Sequence, residues 1–93
     1  MASPPKNGKF HDFSAMGFYN LNLSGLNLTN ADFTDANLYL ANLYLSNLTN
    51  ANLTNANLSN ANLQHANLSN TDLTDADLRF NLNNNSVLLG TTT

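Results

Sequence analysis

Side chains able to do chemistry are few in this chain. It has 93 residues with two histidines, six aspartates and no cysteine, and its six acidic residues are all aspartate, so no glutamate is available either. His11 and His65 stand far apart in the sequence, and neither has the Cys, Glu or His neighbour that a metal site or a catalytic triad needs. The four glycines, Gly8, Gly17, Gly25 and Gly90, are isolated, so no glycine-rich loop can cradle a phosphate. Lys6, Lys9 and Arg79 are the only basic residues, and the net charge is −3. That balance argues against direct binding of nucleic acid. No catalytic, cofactor or metal-binding residue is expected, and enzyme activity is not.

The spacing of the apolar residues is far more informative. A Leu or Phe recurs at every fifth position through fourteen repeats: Phe13, Phe18, Leu23, Leu28, Phe33, Leu38, Leu43, Leu48, Leu53, Leu58, Leu63, Leu68, Leu73 and Leu78. Asn or Asp precedes it in thirteen of these, Gly17 being the exception, and Ala stands two before it in eight. On an α-helix this spacing turns the chain about 500° per repeat, so the leucines form no stripe. On one continuous strand, an odd spacing throws them onto alternate faces. The chain must therefore change direction once per repeat. Within a repeat, Ala and Leu stand two apart, so a short extended piece points both inward and the Asn or Asp between them outward. The next two residues, mostly Ser, Thr, Asn and Asp, have turn chemistry. Repetition winds a solenoid with Ala and Leu inside. A disordered Asn-rich tract would not hold an aliphatic residue on so strict a lattice.

The unit stands undisguised in Ala51-Asn52-Leu53-Thr54-Asn55, Ala56-Asn57-Leu58-Ser59-Asn60 and Ala61-Asn62-Leu63-Gln64-His65. These residues resemble the pentapeptide-repeat family. The resemblance implies an all-β fold, a right-handed quadrilateral parallel β-helix with four repeats to a coil. Residues 11–80 would make about three and a half coils, with 1–10 as an N-terminal segment or cap and 81–93 as a C-terminal cap and tail. Stacked at the strand spacing, those coils reach only about 17 Å.

With twenty residues to a coil, side chains at n, n+20 and n+40 lie in columns, and the text becomes a surface map. The positions that carry Ala in the middle coils carry His11, Met16, Leu21 and Leu26 in the first, and with Phe10 these read as a plug folded across an open end. Leu82 and Val87–Leu89 read as a C-terminal lid, or as an apolar end that meets a second copy. Asp12, Asp32, Asp35, Asp72 and Asp75 map to one face, a candidate electronegative strip. Asp35 and Asp75 share a column but lie roughly 10 Å apart, too far to hold one ion. Tyr19, Tyr39, Leu40, Tyr44, Leu45 and Phe80 occupy positions that should be polar, and they form the candidate interaction patch.

The function expected on these grounds is a non-catalytic structural or protein-binding module. Its partner would be another protein, or a second copy meeting it through a coil end or the Tyr/Leu patch. Some pentapeptide-repeat proteins resemble duplex DNA in size and charge and bind DNA gyrase; that role would need a longer and more acidic rod. Ice or surface binding would use the outward columns Thr34, Thr54, Thr74 and Thr29, Thr49, Ser69. With no 18-residue apolar run and no signal-peptide core at the start, the protein is expected to be cytoplasmic.

Overall fold

The computed structural model describes residues 12–81. Across them the chain repeats one unit: a residue in a parallel bridge, the Leu or Phe, two turn residues, and the inward residue that opens the next repeat. Every bridge joins position n to n+20, as in Asp12↔Asp32, Asp32↔Asn52 and Asn52↔Asp72. Twenty residues therefore make one coil, with a turn at every fifth. The bridges are isolated, so among the described residues successive coils are joined by single rungs rather than extended strands.

The rung geometry shows why. At Gly17↔Asn37, the Asn37 N–H donates to the Met16 carbonyl (2.9 Å) and the Phe18 N–H donates to the Asn37 carbonyl (2.7 Å). The chain then turns at once. The Ala36 N–H donates to the Phe33 carbonyl (3.0 Å), closing a β-turn through Thr34 and Asp35. The corner residue of each turn has positive φ, as type II turns require. A third contact ties turn to turn, for the Asp35 N–H donates to the Thr54 carbonyl at 2.9 Å.

Four faces result, centred on the columns Phe13/Phe33/Leu53/Leu73 (first), Phe18/Leu38/Leu58/Leu78 (second), Leu23/Leu43/Leu63 (third) and Leu28/Leu48/Leu68 (fourth). Leu38, Leu43, Leu48, Leu53 and Leu58 are completely buried, while Phe13, Leu23 and Leu78 are only partly covered. Phe13, Phe18 and Phe33 fill the first coils as an aromatic cluster with centroids 5.1–5.7 Å apart. Ala fits the second inward position because the stacked leucines leave little room there.

At the N-terminal end the expected plug is only partly seen. Met16 packs against the core, but Leu21 and Leu26 remain 47% and 45% exposed. A coil end has no coil beneath it to bury such side chains. The proposed contributions of Phe10 and His11, and of the C-terminal lid at Leu82 and Val87–Leu89, lie outside the described residues, as do most of the two flanking segments.

Candidate interaction face

The outward Asn and Asp are not idle. The side-chain oxygen of each accepts the N–H two residues on: Asn57 Oδ1 takes the Ser59 N–H (3.0 Å) and hydroxyl (2.7 Å). The same Asx turn recurs at Asp32, where Thr34 supplies both donors (3.0 and 2.6 Å). It also holds Tyr39 through Asn37 (3.1 Å) and Tyr44 through Asn42 (3.0 Å). Gly17 has no oxygen to offer, so Tyr19 lacks this anchor and leans instead on Tyr39.

This chemistry modifies the acidic strip. Asp32 is buried, 6% exposed, rather than displayed as an outward charge. Thr34 holds its oxygen from the turn that follows. Asp72 has its carboxyl held below the ordinary value, first by the Thr74 hydroxyl and then by the Thr74 N–H. Asp35 and Asp75 stand at exposed corners with positive φ. Round the next corner, Asp77 pairs with Arg79 at 2.7 Å, which lowers the carboxyl and raises the guanidinium. The threonine columns are changed too. Thr34, Thr54 and Thr74 each donate the hydroxyl proton to the Asx oxygen of their own turn at 2.6 Å.

The apolar exceptions gather on the third face. Tyr39–Leu40 forms the corner on one side of the Asn42 position, and Tyr44–Leu45 the corner on the other. Tyr19 is stacked on Tyr39 with ring centroids 5.7 Å apart, and Tyr44 meets His65 edge-on at 5.9 Å. Tyr39 is half-buried beneath this stack, whereas Leu45 is 55% exposed. Phe80 is also exposed, but Ser59 and Asn60 separate it from Tyr39 and Leu40, so it stands apart from the patch.

Leu40 and Leu45 carry a further mark. The fourteen corners all have positive φ, and ten of them hold Asn, Asp, Gly or His. Leu40 and Leu45 sit at φ 60 in consecutive corners. A γ-branched residue is disfavoured there by contact between its Cβ and the backbone. Ala15 and Phe80 accept the same strain singly, and only at Leu40 and Leu45 does it fall in neighbouring corners. Among the described residues, no group of three His or Asp side chains is placed to hold a metal ion, and no helix is long and apolar enough to cross a membrane.

A solenoid wound at twenty residues per coil, with a Leu column on each face and an Asx turn before each corner, defines a class of repeat protein. The sequence profile of the pentapeptide repeats matches in eight copies over residues 18–50 and 41–79. The chain belongs to the pentapeptide-repeat family. Among solved structures, it is similar to the pentapeptide repeat protein Rfr23 from the cyanobacterium Cyanothece 51142, at 38% identity and a TM-score of 0.72. That match covers 88% of this chain and 49% of the other. HetL from Nostoc sp. strain PCC 7120, described as involved in heterocyst differentiation regulation, matches at 26% identity and a TM-score of 0.46, over 95% of this chain and 40% of its own. The chain thus spans about half the length of Rfr23 and less of HetL. No match is found among curated proteins. Proteins of this family are generally non-enzymatic scaffolds known as right-handed quadrilateral β-helices, and no catalytic family is indicated.

Proposed function

We propose that this chain forms a right-handed quadrilateral β-helix of about three and a half coils that serves as a non-catalytic protein-binding scaffold, with the third face as its contact surface. One observation carries the reading: Leu40 and Leu45 are exposed at corners whose backbone disfavours leucine. Strain without a local packing return points to use of the surface. Tyrosines beside them add large contact area at low conformational cost.

The alternatives have less support. A DNA-like surface needs displayed carboxylates, whereas Asp32 is buried and Asp77 is paired with Arg79. A threonine array needs available hydroxyl protons, whereas those of Thr34, Thr54 and Thr74 are committed to their own turns.

The test is a four-site variant, Tyr39→Thr, Leu40→Asn, Tyr44→Thr and Leu45→Asn, which restores the repeat pattern without touching the core. Tagged wild-type protein, cross-linked in an extract of the source organism, should capture a protein that the variant fails to capture at an unchanged circular dichroism spectrum. Capture of the same protein by both would move the contact elsewhere. Capture of no protein by either, a second copy of the chain included, would remove the scaffold reading.

A further inference from the structure

We infer that the occupant of the third face is a second copy of this chain, forming a weak two-fold dimer through the Tyr39–Leu40 and Tyr44–Leu45 corners. This rests on the reading of that face as a contact surface and adds the identity of the partner.

Three features of the fold favour a second copy. The first is symmetry. Tyr39–Leu40 and Tyr44–Leu45 are the same dipeptide at the two edges of one face, and both belong to one coil, because they stand five residues apart where a coil takes twenty. A two-fold axis lying before Asn42 therefore lays Tyr-Leu on Tyr-Leu whether it runs along the solenoid or across it. A two-fold contact pairs the patch with its own copy, and either axis here sets apolar side chains against apolar side chains.

The second is charge. The chain carries −3 overall, so two copies repel unless their acidic groups are kept apart. Asp12, Asp32 and Asp72 lie on the first face, which is opposite the third. The third face itself displays Asn22, Asn42 and Asn62, all neutral. Among the described residues the one fully charged side chain at its border is Arg79, and that is paired with Asp77. Meeting through this face places the acidic faces outward, on the two far sides of the dimer.

The third is size. Taking side chains of this kind at about 150–250 Å² when fully exposed, the apolar patch amounts to roughly 400 Å² per copy. With Asn42, Gln64 and His65 around it, the pair would bury about 1,000 Å², the low end for specific contacts. Association in the range of about 10–100 μM is expected for so small an interface.

Sedimentation equilibrium of the full chain from 1 to 500 μM (roughly two decades about that range) should show a reversible rise toward twice the monomer mass. Leu40→Asn with Leu45→Asn should abolish the rise while raising the melting temperature, because Asn is at ease in a left-handed corner. Loss of the dimer would then not be attributable to loss of the fold. Asn42→Asp keeps the Asx turn, as Asp32 and Asp72 do, but sets two carboxylates face to face; it should weaken the dimer about tenfold or more, with recovery in salt. Because the chain has no cysteine, Asn42→Cys provides a unique cross-linking site that faces its own counterpart under either axis. A short bismaleimide should join two copies there, and should not at Asn52→Cys on the opposite face. A dimer that survives the double leucine variant, or cross-linking as efficient at position 52 as at 42, overturns the proposal. A wild-type chain that stays monomeric at the highest concentration also overturns it; the scaffold reading then survives only if the four-site variant loses a heterologous partner.

Discussion

Replacing Ser46 with alanine should make this protein more stable. Ser46 occupies the inward position that holds Ala in most repeats, and it is 1% exposed. Its backbone is satisfied: the N–H donates to the Leu43 carbonyl (3.0 Å) and the carbonyl accepts from the Asn67 N–H (2.9 Å). Its hydroxyl is buried without a hydrogen-bond partner. Thr71 supplies the contrast at the same kind of position, for its hydroxyl donates to the Leu48 carbonyl at 2.8 Å. A buried, unpaired hydroxyl costs about 1–3 kcal/mol. Alanine already fits this site in neighbouring repeats, so removing one oxygen opens little void. A gain of about 1 kcal/mol is expected for Ser46→Ala, which for a chain this short raises Tm by about 4–8 °C. Thr71→Ala should go the other way, losing a hydrogen bond and a buried methyl for a total of about 2 kcal/mol. Urea midpoints and thermal melts followed by circular dichroism measure both. At the Thr71–Leu48 offset of 23 residues, the carbonyl within reach of Ser46 would be that of Leu23. If Ser46→Ala destabilised the chain as much as Thr71→Ala, the hydroxyl would be bonded there in solution and the reasoning refuted.

Three further outcomes are expected. Asn57→Ala removes the acceptor for both the N–H and the hydroxyl of Ser59, and should cost about 1–2 kcal/mol in a urea titration, while Asn57→Asp should cost far less. Asp72 has a folded pKa lowered from 3.8, so its ionised form contributes stability above that pH, and the contribution is lost as pH falls below it. Melting temperatures between about pH 2 and 6 should therefore fall less steeply for Asp72→Asn than for wild type. Phe33 is 1% exposed and meets both Phe13 and Phe18, so Phe33→Ala should cost about 3–5 kcal/mol, whereas Phe13→Ala at the half-covered end should cost clearly less by the same measurement.

The winding was legible because one constraint repeats fourteen times: a five-residue beat such as Leu48, Leu53, Leu58 has no solution in a helix or a straight strand. The Asx turns were legible in principle as well. Asn57 stands two before Ser59, and Asn52 two before Thr54, a spacing that lets a side-chain oxygen reach the turn N–H. Reading these Asn residues only as outward and polar missed the bond that fixes each corner. Other features depend on stacking and cannot be read from one line of text. Asp32 is buried whereas Asn52 and Asp72, in the same column, remain partly open, a difference the identical repeat pattern gives no sign of. Ser46 and Thr71 share an environment type, yet only the hydroxyl of Thr71 is aimed at a carbonyl. The patch was legible as residues out of place; the strain at Leu40 and Leu45 required the backbone.

The Asx turn also explains how such a repeat can vary its surface without disturbing its fold. The N–H at the following turn is a donor, so the outward amide must direct its oxygen inward, and its NH2 group is left facing solvent. An all-Asn column such as Asn22, Asn42 and Asn62 is therefore a ladder of donors. Asp accepts the same two bonds with one oxygen, as Asp32 and Asp72 do, and turns a second, negatively charged oxygen elsewhere. Exchanging Asn for Asp leaves the corner intact and reverses the character of the rung. The corner position behaves alike: Asn50, Asp75, His65 and Leu45 all adopt positive φ near 60, at different cost but with one backbone path. The fold thus tolerates independent choices at two sites per repeat. A face is defined by where those choices depart from Asn, and in this chain the largest departure on one side is acid and on the opposite side Tyr-Leu. Charge is thereby segregated from apolar surface across the width of the rod, and under the proposed two-fold contact it is that asymmetry, rather than the beat that supports it, which selects the side that meets a second copy.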